Sequence, residues 1–313
     1  MSAPHHHHHH VLDPSPAGHA AGGLAFGRAF AVGAALNLGF VILEVIVAVF
    51  ANSTALLGDA GHNLGDVLGL VAAWLAAGLA LRLPSARFTY GLGSGTILAS
   101  LANAAILLVS IGAILVEALR RLIAPAPVDA GWVAGIALVG IAVNAATAVL
   151  FAAGRHGDLN VRSVFQHMLA DAVISAGVVV AALLVAATGW NRIDPLASIL
   201  IVVVIGWTTW GLFRESLAMM LDAVPTAIRP DEVRACLLGL PGVAAIHDLH
   251  IWAMSTTETA LTCHLVMPHA APGPEFLLEA GAVLRERFGI GHPTLQVEST
   301  ADVRCALAPD HVV

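Results

Sequence analysis

Apolar residues fall in long blocks along this chain, and polar residues gather between the blocks. Six blocks are each near the ~20 residues that a helix needs to cross a bilayer. They run at about 26–50, 55–81, 95–119, 131–153, 163–188 and 193–213. The links between them are turn-rich or charged: "ANST", "RLPSARFTYGLGSG", "RRLIAPAPVD", "GRHGDLNVRS" and "TGWNRID". This pattern predicts six transmembrane helices. Beyond Arg214 the texture changes, and charges mix with short apolar runs as in a small soluble domain. There "RPDEVRACLLGL" opens with Pro and acids, a helix start. "GVAAIHDLHIWAM" and "ETALTCHLVMP" read as strands joined by the polar "STT". "GPEFLLEAGAVLRERFG" has helical spacing and stops at Gly, and "HPTLQVEST" reads as a last strand. Two helices on one face of a three-stranded sheet would make a split α+β sandwich. The expected organisation is a tail over 1–25, a helical membrane domain over 26–215, a soluble domain over 216–301 and a second tail over 302–313.

One block is interrupted. "GDAGHNLGDVLGL" sets Asp59, His62 and Asp66 inside the second span. At about 100° per residue the three lie within roughly 60° of one another on a helix. His62 and Asp66 are an i, i+4 pair. The fifth span repeats the unit: "FQHMLAD" supplies His167 and Asp171 with the same spacing. A bare carboxylate in hydrocarbon costs several kcal/mol, so such residues pair or line a wet path. Two neutral imidazoles and two carboxylates form a tetrahedral set of net charge −2, which suits Zn2+. Protons compete for the same ligands, because His titrates near neutral pH. A site that holds either a metal or protons is the core of an antiporter. Each pair could instead satisfy itself and staple helices together. The recurrence of the unit on two spans favours the shared site.

Asp59 leaves two readings open. It orients His62 from behind, as a ligand's hydrogen-bond partner does, or it is solvated in the outer interface; the sequence favours the second. Gly58, Gly61, Gly65 and Gly69 form a small-residue stripe that permits close helix approach. The stripe either brings the second span against the fifth or serves general packing. Glu44, Asn103 and Asn144 read as interhelix hydrogen bonds or pore lining. Glu117 and Asp194 fall at span ends, where charge is cheap.

Composition agrees with a membrane protein: 58% hydrophobic and 11% charged residues, against about a quarter charged in soluble chains. The net charge is −7, and all fourteen basic residues are Arg, with no basic patch suited to nucleic acid. The three cysteines, Cys236, Cys263 and Cys305, form no disulfide framework and fit a reducing compartment. The N-terminal stretch lacks the basic and apolar regions of a secretory signal. Its six-histidine run is either a purification tag or a native metal-binding tail. Arg28, Arg82, Arg87, Arg155, Arg162 and Arg214 flank one side of the predicted spans; Arg120, Arg121 and Arg192 flank the other. Six against three places both termini in the cytoplasm. The Arg120–Arg121 pair points the other way. No nucleotide-binding loop and no H-E-x-x-H protease signature is present. A di-iron oxidase would want ligands on four helices, and only two spans carry them.

"NSTALLGDAGHNLGDVLGL", "RFTYGLGSGTILASLANA", "HMLADAVISAGVVVAALL" and "IHDLHIWAMSTTETALTCHLVM" together resemble the cation diffusion facilitator family, over about residues 26–305. The likeness is to its bacterial zinc, cobalt and cadmium efflux branch. It implies a homodimeric inner-membrane exporter, not an enzyme, that exchanges cytoplasmic Zn2+ for protons by alternating access, with no permanently bound cofactor. It implies that His62, Asp66, His167 and Asp171 are the transport site, and that the soluble domain is ferredoxin-like, cytoplasmic and dimerising. By the same resemblance His247 and His264 match positions that bind regulatory zinc, and His292, Glu298 and Cys305 fall near further ligand positions. The strand period of two puts His247 and His250 on opposite faces, so both do not easily serve one ion. His250 then reads as a packed, hydrogen-bonded residue. His269 and His311 read as solvated, and Cys236 as a small buried apolar residue. Some relatives carry a further metal site in the link after the second span. Here that link, "RLPSARFTYG", has no His, Asp or Glu, and no metal is expected there.

Overall fold

The computed structural model describes residues 35–80, 82–152, 159–268, 272–299, 305 and 307. The histidine tail, residues 26–34 of the first block, His269 and His311 lie outside the described residues. Six helices come first: α1 (Ala35–Phe50), α2 (Thr54–Ala80), α3 (Gly95–Ile123), α4 (Ala130–Ala152), α5 (Leu159–Thr188) and α6 (Ile193–Met220). Four of them, α3 to α6, contain stretches long and apolar enough to cross a membrane. Their outward faces are apolar, with Val109, Val149, Leu200 and Trp207 exposed, as lipid requires. The inward faces share one core, built by Phe40, Leu56, Val133, Ala137, Val178 and Ile201 from α1, α2, α4, α5 and α6. α6 runs on to Met220, so the boundary expected at 215/216 falls inside one continuous helix.

The links at one end of this domain are stitched together. Arg121 donates to the carbonyl of Asn52 and pairs with Glu117 at 2.9 Å. Asn52 Nδ2 donates to the carbonyl of Pro127 at 3.1 Å, and Arg192 Nε to that of Leu122 at 3.2 Å. Arg121, which weighed against the expected orientation, is therefore tied into the fold by its contacts. Asp194 is not a cheap terminal charge but is 3% exposed. From the first turn of α6 its carboxylate accepts from Thr54 N–H at 2.7 Å, from Thr54 Oγ1 at 2.8 Å and from Ser53 Oγ. Ser53 itself accepts from Leu56 N–H at 3.1 Å, an N-cap for α2. One carboxylate thus supplies negative charge to the starts of two helices and locks α2 to α6.

The glycine stripe of α2 faces two neighbours, and neither is α5. A Cβ on Gly61, Gly65 or Gly69 would meet Ile114, Leu107 or Asn103 of α3; one on Gly58 would meet Ser198, Ile201 and Val202 of α6. The stripe therefore sets how closely α3 lies on α2, and does not bring α2 to α5 as one reading had it. The reason is geometric. The ligand face of α2 carries His62 and Asp66, and the glycines lie beside it.

After α6 the chain forms α7 (Pro230–Leu238), β1 (Ala245–Ala253), β2 (Thr259–Val266), α8 (Pro274–Phe288) and β3 (Ile290–Glu298). This is the helix–strand–strand–helix–strand order expected. β1 pairs antiparallel with β2, and β2 pairs parallel with β3, giving a small mixed sheet. The parallel pair needs a crossover, which α8 provides. Val233 and Leu237 of α7 and Leu284 of α8 cover Leu261, Leu265 and Ile290 of the sheet. The domain also touches the helical domain through the β1–β2 turn. Ser94 Oγ donates to the carbonyl of Met254 at 3.2 Å, Thr256 N–H donates to Thr96 Oγ1 at 3.0 Å, and the rings of Tyr90 and His292 meet edge to face. The α2–α3 link thus lies on the same side of the helical domain as the soluble domain.

Candidate metal centres

α2 and α5 bring the four expected side chains together. His62 Nε2 lies 3.3 Å from Asp171 Oδ1 and 3.6 Å from Asp66 Oδ2. His167 Nε2 lies 3.1 Å from Asp66 Oδ2 and 3.6 Å from Asp171 Oδ2. The two imidazole rings stand 5.9 Å apart, nearly perpendicular. One ligand atom each from His62, Asp66 and Asp171 fits within 4.8 Å, and His167 closes the fourth side. Helical spacing is what permits this: each His-x-x-x-Asp unit turns both groups to one face, and the faces oppose. Exposure is graded, from Asp171 at 2% to His167 at 42%. Asp171 is the buried floor and His167 the open rim. Each histidine bridges the two carboxylates, so the four groups converge as the ligands of a tetrahedral cation would.

Asp59 is not solvated. It has no exposed surface, and Ser175 of α5 donates to its Oδ2 at 2.9 Å. His62 Nδ1 is buried without a hydrogen-bond partner among the described residues, so Asp59 does not orient that ring by a hydrogen bond. Glu44 of α1 is equally buried and accepts from Asn63 Nδ2 at 3.1 Å, the interhelix hydrogen bond expected of it. Sequence reasoning missed Asn63 and Ser175. Their signal was position, since each lies four residues from a residue already singled out, Asp59 or Asp171.

The soluble domain holds a second group. His247, His264, Glu298 and Cys305 each offer an atom within 4.8 Å of the others. His264 Nδ1 lies 2.8 Å from Glu298 Oε1 and 3.6 Å from Cys305 Sγ; His247 Nε2 lies 3.3 Å from the same Glu298 oxygen. His247 Nε2 is buried without a hydrogen-bond partner among the described residues, as a metal-facing nitrogen would be. Strand register builds the group: His247 pairs with His264 across β1 and β2, while β3 ends at Glu298 beside Val266. Burial pushes the Glu298 carboxyl up, but hydrogen bonds to His264 and Cys305 and the nearby imidazoles outweigh it and hold it below the usual carboxylate range. Cys263, next to His264, is buried, and burial pushes its thiol up to about 12.

Two expectations fail here. His292 is not in the group. It sits at the start of β3, six residues from Glu298, or roughly 20 Å along an extended strand, exposed and against Tyr90. His247 and His250 do not face opposite sides either. A bulge at Asp248 and Leu249 opposes two residues to Cys263, with Asp248 at φ 51°, so His247 pairs with His264 and His250 with Thr262 on one face. His250 is hydrogen-bonded as expected, 2.8 Å from Asp248, which also approaches His264 Nε2 at 3.6 Å. Cys236 of α7 is half-buried rather than buried.

A family model described as the cation efflux transmembrane domain matches residues 30–221, and one for the cation efflux protein cytoplasmic domain, named for dimerisation, matches residues 225–300. The chain is 34% identical to the metal cation efflux system protein CzcD of Cupriavidus metallidurans, over 87% of this chain and 86% of that one. It is 32% identical to the cadmium, cobalt and zinc/H(+)-K(+) antiporter of Bacillus subtilis, over 84% and 86% of the two chains. It is 32% identical to the zinc transporter ZitB of Escherichia coli, over 84% of each. A solved metal-bound C-terminal domain of the CzcD transporter is 40% identical and covers 23% of this chain and 99% of its own, with a TM-score of 0.21. The chain belongs to the cation efflux family of integral membrane transporters, the cation diffusion facilitators.

Proposed function

We propose that this transporter exports Zn2+ from the cytoplasm in exchange for protons, through the cage of His62, Asp66, His167 and Asp171. The observation that carries the reading is the convergence of two imidazoles and two carboxylates from α2 and α5 within a helical membrane domain. The donor set suits Zn2+ and its neighbours Cd2+ and Co2+. Protons fill the same ligands when the metal leaves. All six helices then span a bacterial plasma membrane, with both termini and the soluble domain in the cytoplasm. The soluble domain is a ferredoxin-like module that pairs two copies, and His247, His264, Glu298 and Cys305 hold a regulatory Zn2+ within it. His292 plays no part in that site.

The test is uptake of radioactive zinc into everted vesicles under an imposed pH gradient. Wild type loads, and Asp66→Ala or Asp171→Ala does not. Normal loading by Asp66→Ala would remove the cage as the transport site.

A further inference from the structure

Two fully buried carboxyl groups near the cage take no part in it. Glu44 of α1 and Asp59 of α2 both have no exposed surface. Asn63 stands one turn from Asp59 on the same face of α2 and donates to Glu44 Oε2 at 3.1 Å. Glu44 therefore lies along the Asp59 face, and the two carboxyls are within hydrogen-bonding reach of each other. Ser175 occupies Asp59 Oδ2. One oxygen of each acid, Glu44 Oε1 and Asp59 Oδ1, is left buried with no partner among the described residues.

Among the described residues no Arg answers them, and the basic side chain near Asp59 is His62 of the cage. The described parts of α1, α2 and α4 carry no Arg, and the Arg of α5, Arg162, is about three and a half turns from Ser175. The charged groups that face Asp59 are His62 of α2 and Asp171 of α5, members of the cage, with Asp66 and His167 beyond them. Two bare carboxylates side by side in a dry, low-dielectric interior repel strongly. A single proton removes the conflict: held by one acid, it is donated to the free oxygen of the other.

We propose that Glu44 and Asp59 form a proton-carrying dyad, distinct from the metal cage, whose proton is one of those exchanged for the metal. The proposal rests on the transport reading above and adds a carrier to it. Coupling is electrostatic. A divalent cation entering the cage brings positive charge near Asp59 and favours departure of the proton. When the metal leaves, the proton returns. The connection is short, because Ser175 bonds Asp59 and lies one turn from Asp171 on α5.

The experiment uses the full chain in proteoliposomes and two assays on each variant. One is exchange of labelled for unlabelled Zn2+ at equal pH, which needs only the cage. The other is zinc accumulation driven by an imposed pH gradient, with proton movement followed by a trapped pH dye. Glu44→Gln keeps the bond from Asn63 and can donate to Asp59 without a titratable proton. The expected result is retained exchange, lost pH-driven accumulation and fewer protons moved per metal. Accumulation with an unchanged proton count would overturn the dyad. So would loss of exchange in a variant that still elutes as wild type, since Glu44 would then serve the cage. Should Glu44→Gln fail to fold, the same two assays on Asp59→Asn decide. Failure of the transport reading looks different: Asp171→Ala would then leave both assays intact.

Discussion

His167 of α5 lies nearer to Asp66 of α2, at 3.1 Å, than to Asp171 on its own helix, at 3.6 Å. His62 shows the same preference, 3.3 Å to Asp171 of α5 against 3.6 Å to Asp66 of its own helix. Both histidines thus pair more closely across the helices than along them, which is the arrangement of a shared cage rather than of two internal staples. A double-mutant cycle tests it. The effects of His167→Ala and Asp66→Asn on Zn2+ affinity, measured by calorimetry on the purified chain, should be non-additive by about 0.5–3 kcal/mol, as for residues in one network. Simple additivity would mean that the two do not meet on one ion.

The glycine stripe makes a positional prediction. A Cβ at Gly65 would stand 1.9 Å from Leu107 Cδ2, whereas one at Gly58 would make ordinary contacts of 3.7–3.8 Å. Gly65→Ala should therefore force Leu107 aside and destabilise the helical domain by about 1–3 kcal/mol. Gly58→Ala should be neutral or slightly stabilising, because Ala is the better helix former by about 1 kcal/mol. Thermal unfolding in detergent separates the two. Equal loss at both positions would contradict the packing of α2 on α3.

Asp194 is a structural prediction in a residue with no ligand role. Asp194→Ala removes the acceptor for Thr54 N–H and Thr54 Oγ1 in a buried setting. A lost cap costs about 1 kcal/mol, and each buried donor left unpaired costs about 1–3 kcal/mol. The variant should unfold earlier in thermal melting, while Zn2+ affinity at the cage, about two to three turns along α2 from this cap, changes little. A large affinity loss with unchanged melting would show that Asp194 acts on the cage instead.

The cysteines differ in kind. Cys263 is buried with its thiol pushed up to about 12, while Cys236 and Cys305 are both partly exposed. Maleimide at neutral pH should label Cys236 and Cys305 and spare Cys263, since the thiolate is the nucleophile. Added Zn2+ should then protect Cys305 and leave Cys236 labelled, which mass spectrometry of the digested protein reads directly. Equal labelling of Cys305 with and without Zn2+ would remove it from the regulatory site.

Much of this was legible along the chain, because it depends on short-range periodicity. The helical blocks, the order of elements in the soluble domain and the two His-x-x-x-Asp faces all follow from spacing of 3.6 or 2 residues per repeat. What the tertiary structure decided lies between elements. Helix rotation turned Gly61, Gly65 and Gly69 to α3 and buried Asp59 against Ser175. A bulge at Asp248, held in the left-handed region, reversed the face of His250 relative to a regular strand. Strand pairing brought Glu298 to His264 and carried His292 to the other end of β3. Asp194 found its partners 140 residues away in sequence, at the start of α2. A periodic pattern states which residues share a face; which face meets which neighbour is set by the packing of the whole set of helices and strands, and no local spacing records it.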